Sequence, residues 1–365
     1  MMKNRGIGLG PVLLCLLSLL LGACAGPNYS LQNPVDAIPL DERPTWPRGG
    51  ETARYRLAGL YYGEQNLNAS FEDDASAAFT KALYWVAGVF QDNTSRQLQS
   101  PQGVLSDELG ALYVADVGWG GIFVFDPLYA ASTGGALPIW TRATPDGERF
   151  ITPVALVKAS NGDLLVTDAD LGLVARLDRE GQPKGTFGKG VLNRPTGIAR
   201  DPARGRIYVA DTQDHDIKVF SDKGELLDTF GQRGVGAGEF NFPIHLAFAR
   251  NRLHVVDSMN ARIQVFDTEG EHLLSFGKRG RYLGDFTRPK GIAVDSQGHV
   301  YVSDSFVDSV LVFDAEGRFL LPIGGSGARA VFQLPAGIFV DDRDRVFISD
   351  LDNGRVVALD YLGGS

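Results

Sequence analysis

Cysteine is almost absent. The 365-residue chain has two, Cys15 and Cys24, so everything after residue 24 is without a disulfide, a thiol nucleophile or a thiolate metal site. Histidine is nearly as scarce, at five residues, which leaves little material for a multi-histidine metal centre. Apart from the run at residues 12–24, which is too short to span a bilayer with margin, the chain has no long apolar segment. A phosphate-binding P-loop, a dinucleotide-binding glycine pattern and a nucleophilic-serine elbow are all missing. Basic residues are outnumbered, 35 against 44 acidic, for a formal net charge of −9. That balance argues against general binding of nucleic acid or of an anionic membrane surface.

What is present is globular: 44% hydrophobic and 22% charged residues, with 45 glycines to supply tight turns. Lys3 and Arg5 precede the apolar run "VLLCLLSLLLGAC", which reads as a secretion signal over residues 1–23. Leu21-Gly22-Ala23-Cys24 resembles the bacterial lipobox. The resemblance implies cleavage before Cys24 and acylation of that cysteine, and two or three acyl chains anchor a protein stably. Ala25 in the next position implies sorting to the outer membrane, on its periplasmic side. Residues 24–50 carry Pro27, Pro34, Pro39, Pro44 and Pro47 without apolar periodicity, so they are expected to form an extended tether. The folded domain is then residues 51–365.

Inside that domain the chain repeats itself about every 47 residues. Asp116, Asp168, Asp211, Asp257, Asp304 and Asp350 each end an apolar–polar alternation, with an aliphatic residue four before, two before and six after. Pro101, Pro153, Pro195, Pro243, Pro289 and Pro335 stand 14 to 16 residues upstream, each preceded three positions earlier by Leu or Phe. Turn glycines at 181, 224, 270 and 317 are followed seven residues later by another glycine. Each unit is therefore four short antiparallel strands, and six such units make propeller blades. "FGQRGVGAGEFNFPIHLAF" with "VVDSMNARIQVFD" resembles the NHL repeat, over about residues 98–363. The resemblance implies a six-bladed β-propeller and says little about activity. The expected fold is all-β: six four-stranded antiparallel blades. The sixth unit stops after its third strand, and "ARYRLAGLYYG" (53–63) is expected to supply the missing outer strand, which removes an open edge. A helical insertion is expected at about 64–100, where Phe79, Leu83, Val86 and Phe90 share one helical face.

The six aspartates are too regular to be catalytic, because a reaction centre converges one or two carboxylates on a single point. A carboxylate ending a strand before a tight loop instead accepts backbone N–H bonds, so these six are read as corner posts. His245 stands where four other units have Gly103, Gly197, Gly291 and Gly337, at the start of the innermost strand. Channel histidines near this position serve as metal ligands in the NHL-type amidating lyase, but here the matching positions are glycines and Ala155, so no zinc site and no cofactor are expected. Gln102, Thr196, His245 and Lys290 are the candidate polar residues of the channel. The loops after the second and fourth strands share one face, and there Trp119, Met259 and Phe306 are candidate contacts. "KRGRYLGDFTRPK" (278–290) adds Lys278, Arg279 and Arg281 to that face, against the acidic background. The expectation is a monomeric, lipid-anchored envelope protein that binds a protein or glycan with this face and does not bind nucleic acid. The alternative is a propeller enzyme, a lyase or lactone hydrolase, with a metal in the channel.

Overall fold

The computed structural model describes residues 28–48, 52–70, 95–132, 136–325 and 331–363. Within them the six units form six antiparallel sheets arranged as a closed β-propeller, and the inner strands Pro101–Ser106, Pro153–Lys158, Pro195–Asp201, Pro243–Ala249, Pro289–Val294 and Pro335–Val340 surround a central channel. Blades one to five each follow chain order from the inside outward. Blade six takes Pro335–Val340, Val346–Asp350 and Arg355–Tyr361 from the C-terminus and Tyr55–Tyr61 from the N-terminus, paired antiparallel from Val356↔Tyr61 to Tyr361↔Tyr55. The ring is thus closed by hydrogen bonds between the two ends of the domain.

The stability of the ring comes from its seams. Successive side chains of the middle strands point to opposite faces and are buried on both, so each blade has two apolar faces, and six buried clusters among the described residues each join two neighbouring blades. The apolar residues three positions before the repeated prolines, Leu98, Phe150, Leu192, Phe240, Phe286 and Phe332, are all buried at these seams. Hydroxyls at the ends of second strands cross the seams: Thr167 Oγ1 donates to Thr196 O (2.6 Å), Thr212 Oγ1 to Pro243 O (2.7 Å) and Ser258 Oγ to Pro289 O (3.0 Å).

The segment expected to be an extended tether is folded from residue 28 to 48. Asn28–Leu31 pairs with Leu67–Ser70, a 3-10 turn spans Pro34–Ala37, and Thr45–Trp46 adds a fifth strand to blade six beside Arg56 and Tyr55. Val35 and Trp46 are buried in the cluster that joins blades five and six. Asn33 Oδ1 accepts from Val35 N (3.1 Å) and Leu60 N (3.0 Å), fixing the segment along the outer strand. Prolines break helix and strand periodicity without preventing burial of single large side chains between them. Of the segment 64–100, expected to hold a helical insertion, Glu64–Asn66 is a 3-10 turn and Leu67–Ser70 a strand, while residues 71–94 lie outside the described residues, as do the signal segment and Cys24. A short helix, Pro127–Ser132, follows the third strand of blade one.

Candidate functional site

The six repeat aspartates are fully buried, and each carboxylate receives the chain entering its own blade. Asp211 accepts from Asn193 N and Arg194 N, both at 2.8 Å, and Asp304 from Thr287 N (2.6 Å), Arg288 N (3.0 Å) and Phe306 N (3.0 Å). Asp116 binds Gln99 N, Ser100 N and Trp119 N; Asp168 binds Ile151 N, Thr152 N and Leu171 N. Asp257 and Asp350 use one backbone N–H each, from Asn241 and Gln333, and add Arg262 and Arg355, both at 2.8 Å. Desolvation pushes the Asp116 and Asp350 carboxyls upward, against the hydrogen bonds that favour their charged forms. These groups hold the incoming chain on top of the blade. None of them meets another in a shared cleft.

The channel is mainly aliphatic. Its cavity of about 160 Å³ is lined by Val104, Leu105, Val157, Leu246, Ile292 and Val340 among others, with His245 and Arg200 as its basic groups. His245 Nδ1 accepts from Ile292 N of the next blade (3.3 Å), and desolvation lowers its imidazole to about 4. Where Gly103 and Gly337 stand instead, a Cβ would run into the backbone of the adjacent inner strand, so close blade-to-blade approach explains the glycines. Gln102, Thr196 and Lys290 are one position earlier and do not line this cavity with His245, so the four do not form one channel set. Thr196 Oγ1 is engaged with Thr212 Oγ1 at 2.6 Å, and Lys290 is exposed to solvent. No group of three or more His, Cys, Asp or Glu poised for a metal occurs among the described residues.

The upper face, which carries the connections after second and fourth strands, has a definite geometry at blades four and five. The connections 232–242 and 278–288 are built alike. Phe240 and Phe286 are fully buried anchors, and the chain folds back on itself through Gly234 N→Phe240 O (3.0 Å) and Gly280 N→Phe286 O (3.1 Å). An acid braces each tip: Glu239 accepts from Val235 N (3.1 Å) and Gly236 N (2.9 Å), and Asp285 from Tyr282 N (3.2 Å). The tips are left in solvent, with Val235 75%, Tyr282 84% and Leu283 76% exposed. Met259 and Phe306, also exposed, sit beside them. Met259 N donates to Asn241 O (3.0 Å), Arg279 Nη2 to Met259 O (2.7 Å), and Ser305 N to Arg288 O (3.1 Å), which ties four loops into one strip. Lys278 is 3.9 Å from Asp285, whereas the side chains of Arg281 and Arg288 have no acceptor among the described residues.

Trp119 does not belong to this strip. Its indole N–H donates to Gln97 O (2.6 Å) and its ring packs on the seam of blades six and one, so an aromatic expected at a loop tip is folded down as a plug. The reading of the sequence missed Val235, Tyr282 and Leu283. Aligning the two connections, "QRGVGAGEFNF" on "KRGRYLGDFTR", would have found them, because the shared Arg-Gly and acid-Phe positions leave the residues between as tips.

Comparison with known proteins places this architecture. The NHL-repeat family model matches residues 192–220, and a family model described as a 6-bladed beta-propeller matches residues 241–324. Human NHL-repeat-containing protein 4 is 34% identical over 92 residues, which is 25% of this chain and 69% of that protein. The chain belongs to the NHL-repeat family. Among solved structures, this NHL-repeat propeller is similar to a gluconolactonase from Xanthomonas campestris, with TM-score 0.56 and 15% identity over 92% of this chain and 97% of that one. It is also similar to virginiamycin B lyase from Staphylococcus aureus (TM-score 0.52, 15% identity, 72% and 96% covered). An auxiliary nutrient binding protein from Bacteroides thetaiotaomicron matches with TM-score 0.56 and 15% identity, covering 73% of this chain and 70% of that one. Enzymes and a binding protein share the fold, so the fold alone does not choose between them.

Proposed function

We propose that this NHL-repeat propeller is a binding or scaffold protein of the bacterial envelope. In this reading it is held by lipid on Cys24 at the periplasmic side of the outer membrane, and the upper face of blades four and five recruits a protein or glycan. The observation that carries the reading is the strip itself: braced loops that hold Tyr282, Leu283, Met259 and Phe306 in solvent beside uncompensated arginines. Large exposed side chains on a rigid scaffold bury area on contact at little conformational cost, and arginine beside aromatics suits an acidic partner surface. The channel supports chemistry less well, since its one imidazole is already an acceptor for Ile292 N among aliphatic walls. The test is crosslinking in the intact envelope, comparing wild type with Met259→Ala combined with Phe306→Ala. Loss of partner capture with an unchanged unfolding midpoint is expected; equal capture by the variant would refute this working face.

A further inference from the structure

The concave surface of the molecule lies elsewhere, where first-to-second-strand turns and third-to-outer-strand turns of neighbouring blades meet. At the seam of blades one and two a slot of about 150 Å³ is walled by Leu105, Leu109, Tyr113, Trp140 and Leu164. It is preformed. The Tyr113 and Trp140 rings pack at 5.6 Å, and the turn of blade two presses on the indole at Gly181, where φ is +77° and a Cβ would enter the ring. Tyr113 Oη donates to Asp107 Oδ2 (3.2 Å), and burial together with that carboxylate keeps the phenol neutral.

The charged groups at the slot have hydrogen-bond or ion-pair partners except in one place. Glu108 pairs with Lys158 across the two blades. Asp107 accepts from Leu109 N (3.0 Å) and Ala111 N (2.9 Å), and Asp178 is taken by Glu180 N, Gln182 N and Lys184. The Arg179 guanidinium lies against the turn at Gly162, lines both the slot and an adjoining cavity of about 410 Å³, and has no acceptor among the described residues. A guanidinium without a hydrogen-bond acceptor, beside an apolar slot, calls for a carboxylate-sized acceptor beside an apolar group. A volume near 150 Å³ holds about one benzene-sized group, and a polyanion would meet Asp107, Glu108 and Asp178 at the same mouth.

We propose that this slot binds a monocarboxylate that carries an aromatic or branched aliphatic group next to the acid, with the apolar group against Trp140 and the carboxylate on Arg179. Leu109, 74% exposed at the mouth, offers apolar surface that a bound group would cover. The site is on different loops from the partner-binding strip and does not depend on it. The test is ligand-observed saturation-transfer NMR on the full folded domain with N-acetyl-phenylalanine, its amide, and a five-residue peptide ending in phenylalanine. Binding of the acid is expected, weaker by about fivefold for the amide and for Arg179→Gln, as befits a solvent-screened ion pair. Leu109→Ser, at an exposed position, should weaken acid and amide alike. Similar binding by the free acid and the peptide assigns a small acid as the natural source, and a gain of about tenfold with the peptide assigns a chain terminus. No binding of any probe, or equal binding of acid and amide, would overturn the proposal.

Discussion

Replacing Trp46 with alanine asks directly whether residues 28–48 are part of the propeller or a spacer beside it. Trp46 is 2% exposed, paired with Tyr55 in the fifth strand of blade six, and packed with Val35 and Leu57 into the seam of blades five and six. An aromatic side chain of this kind removes ~150–250 Å² from water, or about 4–6 kcal/mol at ~25 cal/mol per Å². Compactness of the unfolded chain trims the transfer value, and Trp→Ala substitutions in cores commonly cost about 3–5 kcal/mol. A spacer tryptophan would cost close to nothing. Urea unfolding followed by circular dichroism should therefore show a large drop in midpoint for Trp46→Ala. The drop should be smaller for Trp46→Phe, because the indole N–H makes no hydrogen bond within the described residues and none is lost. Limited proteolysis gives an independent reading: native protein should resist cleavage within 28–48 and the alanine variant should not. An unchanged midpoint, with rapid cleavage of 28–48 in the wild type, would refute the packing argument.

Four further outcomes follow from the same physics. Deleting residues 52–61 removes the strand that closes blade six, so the whole domain should lose stability; an unaltered unfolding midpoint would refute closure by this strand. Asp304→Ala leaves three partly buried N–H groups without that acceptor and should cost about 3 kcal/mol, read from urea midpoints, and a loss under about 1 kcal/mol would show that water replaces the carboxylate. Burial holds the His254 imidazole down to about 4 against an ordinary 6.5, so the unfolded chain takes a proton there that the fold refuses. Stability should be full above about pH 6.5 and fall toward pH 4; His254→Leu should remove about 2 kcal/mol of the difference between pH 8 and pH 5, and an unchanged difference would mean that the folded imidazole accepts the proton. Cys24→Ser should release the protein from the membrane fraction, and continued tight association would contradict lipid anchoring.

The parts of the fold that were legible are those where backbone geometry dictates a residue type at a fixed spacing. Proline opens an inner strand, aspartate receives the incoming chain 16 to 18 residues after it, and Phe or Leu fills the seam, so the blades could be counted from sequence. Closure was legible because one unit was a strand short. The packed segment 28–48 was not, since Val35 and Trp46 are isolated apolar residues among prolines and polar residues, with no period to betray burial. Trp119 misled for a related reason: an aromatic in a loop looks exposed until its neighbour, here Gln97 O from the preceding connection, is known. The slot under blades one and two was invisible because Leu109, Trp140, Gly162 and Arg179 come from four separate turns and strands, and only the seam brings them together.

Site-specific photocrosslinking in the living envelope tests the central claim most directly, that the strip on blades four and five is the working surface. A photoreactive residue placed singly at 259, 282 and 306, with 226, 273 and 320 on the outer strands as controls, reports contact position by position. The account predicts one recurrent crosslinked product at the three strip positions and none at the controls, competed away by excess soluble domain. Crosslinks at the outer strands with none at 259, 282 or 306 would contradict it.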